Sequence, residues 1–236
     1  MLLRLIATAA LTLSLMLAGC ASHQKMANLD DTAKVSKSTK SVYLMTVTLR
    51  NTFVPSYQPK LQTVKLLKIT GPDTSKVIQH EADLLSRNET NSATTGSSYL
   101  LRLEIEPGEY SILGLESFGQ SMLITGSFFT PLGARLIVSK TPGVYYLGHI
   151  DATVRARKGE EFPAGGYLPR QEQRLTGAST GSFDVAISDH WETDGAKFLN
   201  KFPALKDLNV QKAVLSPYSR ESIQRWWDKN TFTQRP

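Results

Sequence analysis

Tyr99-Leu100-Leu101-Arg102-Leu103-Glu104-Ile105-Glu106-Pro107-Gly108-Glu109-Tyr110-Ser111-Ile112-Leu113-Gly114-Leu115 carries the clearest pattern in the chain. Leu101, Leu103 and Ile105 alternate with Arg102, Glu104 and Glu106, the period of two expected of a strand with one wet face. Pro107-Gly108 turns the chain and a second strand starts at Tyr110, so Tyr99 to Leu115 is expected to form a hairpin. Pro142-Gly143, followed by Val144 to Ile150, repeats the signal, and Met122 to Phe129 and Ala134 to Ser139 supply extended runs between the two. Upstream, Tyr43, Met45, Val47 and Leu49 alternate with Thr46 and Thr48. Leu61 to Thr70 is a further strand, stopped by Gly71-Pro72-Asp73, and Lys76 to His80 a short one. Arg87 to Ser98, rich in Asn, Ser and Thr, is expected to be a loop. Short strands at this spacing, divided by Gly and Pro turns, predict a mostly β chain built as an antiparallel sandwich.

The end of the chain turns helical. Phe183, Val185 and Ile187 alternate as a strand, and Asp189-His190-Trp191-Glu192 reads as a helix start, with Asp189 as N-cap and Glu192 three residues on completing a variant capping box. Trp191, Phe198, Leu199 and Phe202 share one face, and Pro203 ends the helix. Asn209 to Leu215 reads as a last strand, and Ser216-Pro217 opens a final helix. Ile223, Trp226 and Trp227 share a face there, bordered by Arg220, Arg225 and Lys229. This face either rests on a membrane or partner or packs the tail onto the sandwich.

The start of the chain carries an address. After Met1 to Arg4, the run from Leu5 to Leu17 is short of the roughly 20 apolar residues that span a bilayer, so it reads as the core of a secretory signal. Leu17-Ala18-Gly19-Cys20 then resembles the lipobox of bacterial lipoproteins. That resemblance implies cleavage before Cys20, a lipid on its sulfur and acylation of its amino group. With Ala21 and Ser22 next, instead of an aspartate, it implies delivery to the outer membrane facing the periplasm in a Gram-negative cell. Cys20 is the sole cysteine of 236 residues, so no disulfide can form within the domain. Residues 1–19 are thus a signal peptide. Residues 20–41, polar and without an apolar period, are expected to be the lipidated cysteine and a flexible tether. Residues 42–236 make one domain with a C-terminal helical extension.

The net charge of +6 falls by one when Arg4 leaves with the signal. The remainder is not gathered in runs with interleaved aromatics, which excludes nucleic acid as a partner. It suits an anionic neighbour such as lipid headgroups or the cell wall. The strand, Pro107-Gly108-Glu109-Tyr110, strand, Pro142-Gly143-Val144-Tyr145-Tyr146 succession is similar to uncharacterised bacterial lipoproteins with a transthyretin-like or carboxypeptidase-regulatory-like domain. The resemblance implies an antiparallel β-sandwich, transthyretin-like or immunoglobulin-like, and a non-enzymatic module. The C-terminal helices exceed such a minimal sandwich.

Ala156 to Ser182 is the longest polar stretch, and its Arg157, Lys158, Tyr167, Arg170 and Arg174 are the candidate contact residues, set against a merely solvated loop. Within it, Gly177-Ala178-Ser179-Thr180-Gly181 matches the G-x-S-x-G elbow, and Asp184 and His190 follow in hydrolase order. The flanking strand pattern lacks the strand-to-helix context that such an elbow needs. His149 and Asp151 share a strand face as a metal pair, whereas His190, Glu192 and Asp194 cannot converge from one helix. The expectation is therefore a lipid-anchored envelope protein with a binding, structural or adaptor role, joined to the membrane through Cys20 and to an envelope protein or the cell wall. No cofactor, metal or catalytic residue is assigned. A hydrolase using Ser179 and His190, or a metal site near His149 and Asp151, is the alternative.

Overall fold

The structure is a computed structural model that describes residues 22–71, 74–92, 94–165 and 171–231; Cys20, Tyr167 and Arg170 lie outside them. In chain order the elements are β1 (Ser22–Lys25), α1 (Thr32–Ser36), β2 (Ser41–Asn51), β3 (Lys60–Lys68), β4 (Val77–Glu81), β5 (Arg87–Ser92), β6 (Gly96–Ile105), β7 (Gly108–Ser121), β8 (Ile124–Val138) and β9 (Val144–Ala156). There follow α2 (Gln171–Leu175), β10 (Gly181–Ser188), α3 (Trp191–Lys201), a 3₁₀ turn (Pro203–Asp207), β11 (Val210–Lys212) and α4 (Arg220–Thr231). The chain is mostly β, sandwich-like, with helices toward its C-terminus, as the alternating pattern predicts.

One sheet runs β1-β4-β3-β7-β8 and the other β10-β9-β2-β6-β5, with β11 continuing the place of β10 beside the first residues of β9. Most pairings are antiparallel, but β2 and β9 run parallel at the centre of the second sheet, as do β1 with β4 and β11 with β9. Tyr43, Met45, Val47 and Leu49 of β2 meet Leu101, Leu103 and Ile105 of β6 and Tyr110, Ile112 and Leu115 of β7 in the main core between the sheets. On the outer face of the second sheet, Val42, Leu44, Leu100, Val144 and Tyr146 pack under Phe198, Phe202 and Leu205, forming a second core beneath α3 and the 3₁₀ turn. The molecule therefore has three layers at this end, sheet, sheet and helix. The α3 face expected from Trp191, Phe198, Leu199 and Phe202 is the face that packs here.

Three expectations are corrected. Tyr99 to Leu115 is not a hairpin, because β6 lies in one sheet and β7 in the other. Pro107-Gly108, with Gly108 at φ 149°, carries the chain across the sandwich, and Pro142-Gly143 does the same from β8 to β9. Apolar faces on both flanking strands are satisfied equally by pairing side by side or by facing each other across a core. The hairpin is instead β7 with β8, closing at Ser121 and Ile124.

The tether, too, is structure from Ser22 onward. Ser22–Lys25 pairs with Ile78–Glu81, Met26, Ala27 and Leu29 are buried, and Asp31 accepts from the Ala33 N–H at 2.8 Å to cap α1. A segment without an apolar period is held by backbone pairing on one side and three buried side chains on the other. The expected loop at 87–98 contains β5 and the start of β6, paired as Arg87 to Tyr99 and Ser92 to Gly96. Its polar side chains satisfy an edge strand, which needs no apolar face.

Candidate functional site

Four places on the molecule concentrate chemistry. The first lies on the outer face of the second sheet beside α3. A bulge sets two residues of β9, Leu147 and Gly148, against Met45 of β2, with Gly148 at φ 109°. Such a bulge re-aims the following side chains, so Tyr146 and His149 point out of the same face. Asp194, buried on α3, receives the Tyr146 hydroxyl at 2.6 Å and faces His149 Nδ1 at 3.1 Å. On the other side of the ring, His149 Nε2 lies 2.9 Å from Thr48 Oγ1. Burial alone would raise the Asp194 pKa, but the hydrogen bonds from His149 and Tyr146 outweigh it and hold the carboxylate below its ordinary value. Burial, then the adjacent carboxylate, push the Tyr146 hydroxyl far above its ordinary range. His190 stands with its ring 5.0 Å from that of His149 and bonds Ser188 at 3.2 Å. Asp189 Oδ1 accepts from the Trp191 N–H at 3.0 Å, but the N-cap position of α3 is His190, not Asp189 as expected, and Asp189 lies one residue outside it.

His149 and Asp151 do share a face, but they turn to different partners: Asp151 pairs with Arg50. Among the described residues no group of three or more His, Cys, Asp or Glu side chains is placed to hold a metal ion. Ser179 and His190 are not brought together either. They flank opposite ends of β10, whose eight residues span about 23 Å, and the Ser179 hydroxyl is buried with no hydrogen-bond partner.

The second place is a cleft of about 460 Å³ between the N-terminal segment, the turn after β4 and the 3₁₀ turn. Its floor is Arg102, expected on a wet strand face but 1 % exposed, because the segment from Met26 to Asp30 crosses over it. The guanidinium donates to the Ala27 carbonyl at 3.0 Å and to Asp83 at 2.5 Å and lies 4.4 Å from the centre of the Phe202 ring. Burial would raise the Asp83 carboxyl, yet hydrogen bonds from Ser86 and the Arg102 charge prevail and hold it low. Nothing local in the sequence marks Arg102, since an arginine between two leucines in a strand reads as a solvent-facing position.

The third is the polar stretch 156–182, which does not act as one surface. Arg157 and Lys158 are exposed at its start and Arg174 is exposed on α2. Phe162, Ala164 and Ala178 are buried in the main core. Between them, Glu161 is clamped by Arg155 at 2.6 Å through both of its oxygens, and Arg220 reaches the same carboxylate. The Arg155 hydrogen bonds, against a smaller opposing burial effect, bring Glu161 down to about 2. α4 closes the side where β8 and β10 are edges, with Ile223 buried and Trp227 packed onto the core beside Phe162. The two tryptophans therefore divide: Trp227 is a packing residue, while Trp226 is 44 % exposed.

The fourth was not foreseen. The hairpin of β7 and β8 ends in Met122 and Leu123, 91 % and 98 % exposed, and Met122 holds a left-handed φ of 51°. Gly or Asn is usual at such a position, and an ordinary side chain there costs about 1 kcal/mol. Phe118 on β7, Leu175 on α2 and Phe53 on the loop after β2 are also exposed at this end of the sandwich. α2 is held there by Gln173, whose Oε1 accepts from Ser127 N–H at 3.3 Å. Ser22 enters at the opposite end. It pairs at the level of Ile78, Leu66 and Ile112, and from Ile112 β7 runs about 30 Å further to the tip at Ser121. Among the described residues no helix is long and apolar enough to cross a membrane. Comparison with known proteins gave no match among family models, curated proteins or solved structures.

Proposed function

We propose that this chain is a bacterial envelope lipoprotein, anchored by lipid on Cys20 and, in a Gram-negative cell, held at the outer membrane facing the periplasm. Its sandwich acts as an adaptor that docks a second envelope protein. The observation that carries the adaptor reading is the Met122-Leu123 tip. Two large apolar side chains stand almost wholly in water, and burying each is worth about 1.5–3 kcal/mol. A protein groove suits the tip better than cell-wall glycan, which offers polar surface. A lipid on Cys20 would put the bilayer toward the other end of the molecule, since a single residue lies between Cys20 and β1 in the sequence.

Crosslinking in intact cells, followed by purification through a C-terminal tag and mass spectrometry, tests the reading with two variants. Cys20→Ala releases the protein from the membrane fraction. The double variant Met122→Asp, Leu123→Asp stays in membranes and loses the crosslinked protein. Capture of the same proteins by the double variant contradicts the docking reading.

A further inference from the structure

We infer that Thr48, His149 and Asp194 form a nucleophilic relay able to take an acyl group from an activated ester, an activity beyond the adaptor role. The three residues come from β2, β9 and α3, and the order of contacts is the one such chemistry needs. Asp194 is buried and ionised, so it accepts from Nδ1–H and fixes His149 in the tautomer that leaves Nε2 with its lone pair. That lone pair lies 2.9 Å from the Thr48 hydroxyl. Thr48 is only partly buried, and its neighbours on that face, Arg50, Asp151 and Thr153, are polar and partly exposed.

A separate feature points to a ligand. Directly across from Thr48 on β6 and on the same face stands Ser98. Its hydroxyl is buried and has no hydrogen-bond partner. A buried hydroxyl left unpaired is costly, and its register beside Thr48 is where a donor to an oxygen that develops negative charge would stand.

In the reaction, Thr48 Oγ1 attacks the ester carbonyl carbon while its proton passes to His149 Nε2. The carbon–oxygen bond to the leaving alcohol breaks, and the alcohol departs with that proton. Water, deprotonated by the same nitrogen, then attacks the threonyl ester, which releases the carboxylic acid and restores the hydroxyl. Thr48 is the nucleophile and His149 the base. Asp194 acts through His149 and is a positioning residue.

The test is labelling of detergent-solubilised full-length protein with a fluorophosphonate probe, in which the attacking oxygen displaces fluoride. Peptide mass spectrometry then locates the adduct. The titratable and charged groups around His149 are Tyr146 and Asp151 on its own strand, Arg50 on β2, Asp194 on α3 and His190 just before it. Labelling is expected on Thr48. Thr48→Ser, which removes the hindering methyl group, labels faster at the same position. His149→Gln slows labelling roughly 100-fold, Ser98→Ala slows it by about tenfold, and Asp194→Asn shifts the pH profile as well as lowering the rate. Absence of an adduct at position 48 in both the wild type and Thr48→Ser, with folding confirmed by circular dichroism, overturns the assignment. An unchanged rate in His149→Gln overturns it equally.

Discussion

Asp194 sits beneath α3 with Tyr146 at 2.6 Å and His149 at 3.1 Å, and its charge is accommodated only because both partners face it. Its carboxyl is held below the ordinary value, so the unfolded chain takes up the proton first as pH falls. The associated stability is present above the unfolded carboxylate pKa of about 4 and disappears as pH falls through the lower folded value. Asp194→Asn is expected to cost about 1–3 kcal/mol at neutral pH in urea unfolding and to flatten that acid limb. His80 on β4 gives a second pH signature in a different window. Burial lowers its pKa to about 4, so it stays neutral in the fold while the unfolded chain binds a proton below about 6.5. Stability is therefore full above 6.5 and falls by roughly 2–3 kcal/mol as pH drops toward 4. Urea midpoints for His80→Gln are expected to lose that slope between pH 7.5 and 5.

Elements divide into those that sequence pattern reveals and those it conceals. The alternation in β2, β6, β9 and β10 and the apolar face of α3 were legible, because burial on one face imposes a period. Partner choice was not. Pro107-Gly108 has the same chemistry whether β7 folds back beside β6 or crosses to the other sheet. The contact between His149 and Asp194 was equally hidden, because it arises only when α3 docks onto β9. The N-terminal segment was misread because its apolar residues number three and follow no period. Leu29→Ala measures that correction: Leu29 is 2 % exposed, and its truncation is expected to cost about 2–3 kcal/mol, where a flexible tether would show no change. On α4, Trp227→Ala is expected to destabilise by about 3 kcal/mol and Trp226→Ala by less than about 1, measured by the same unfolding curves. The reverse order would mean that the helix presents its packed face to solvent.

At the scale of the whole molecule, the sandwich separates two ends. The chain enters at Ser22, one residue after an alanine that follows Cys20, and the Met122-Leu123 tip lies at the far end of the same sheet. A lipid on Cys20 would hold the domain close to its membrane, with no long tether to let it wander, and would leave the tip free for a partner. The site on the outer face of the second sheet lies between these ends and depends on neither. The most direct test of the adaptor account places a photoreactive amino acid at position 123 in living cells and, in a parallel strain, at exposed Lys140 near the opposite end. The account predicts a discrete protein adduct from position 123 that is absent from position 140 and lost when Met122 is changed to Asp. No protein adduct at 123, or the same adducts from both positions, contradicts it.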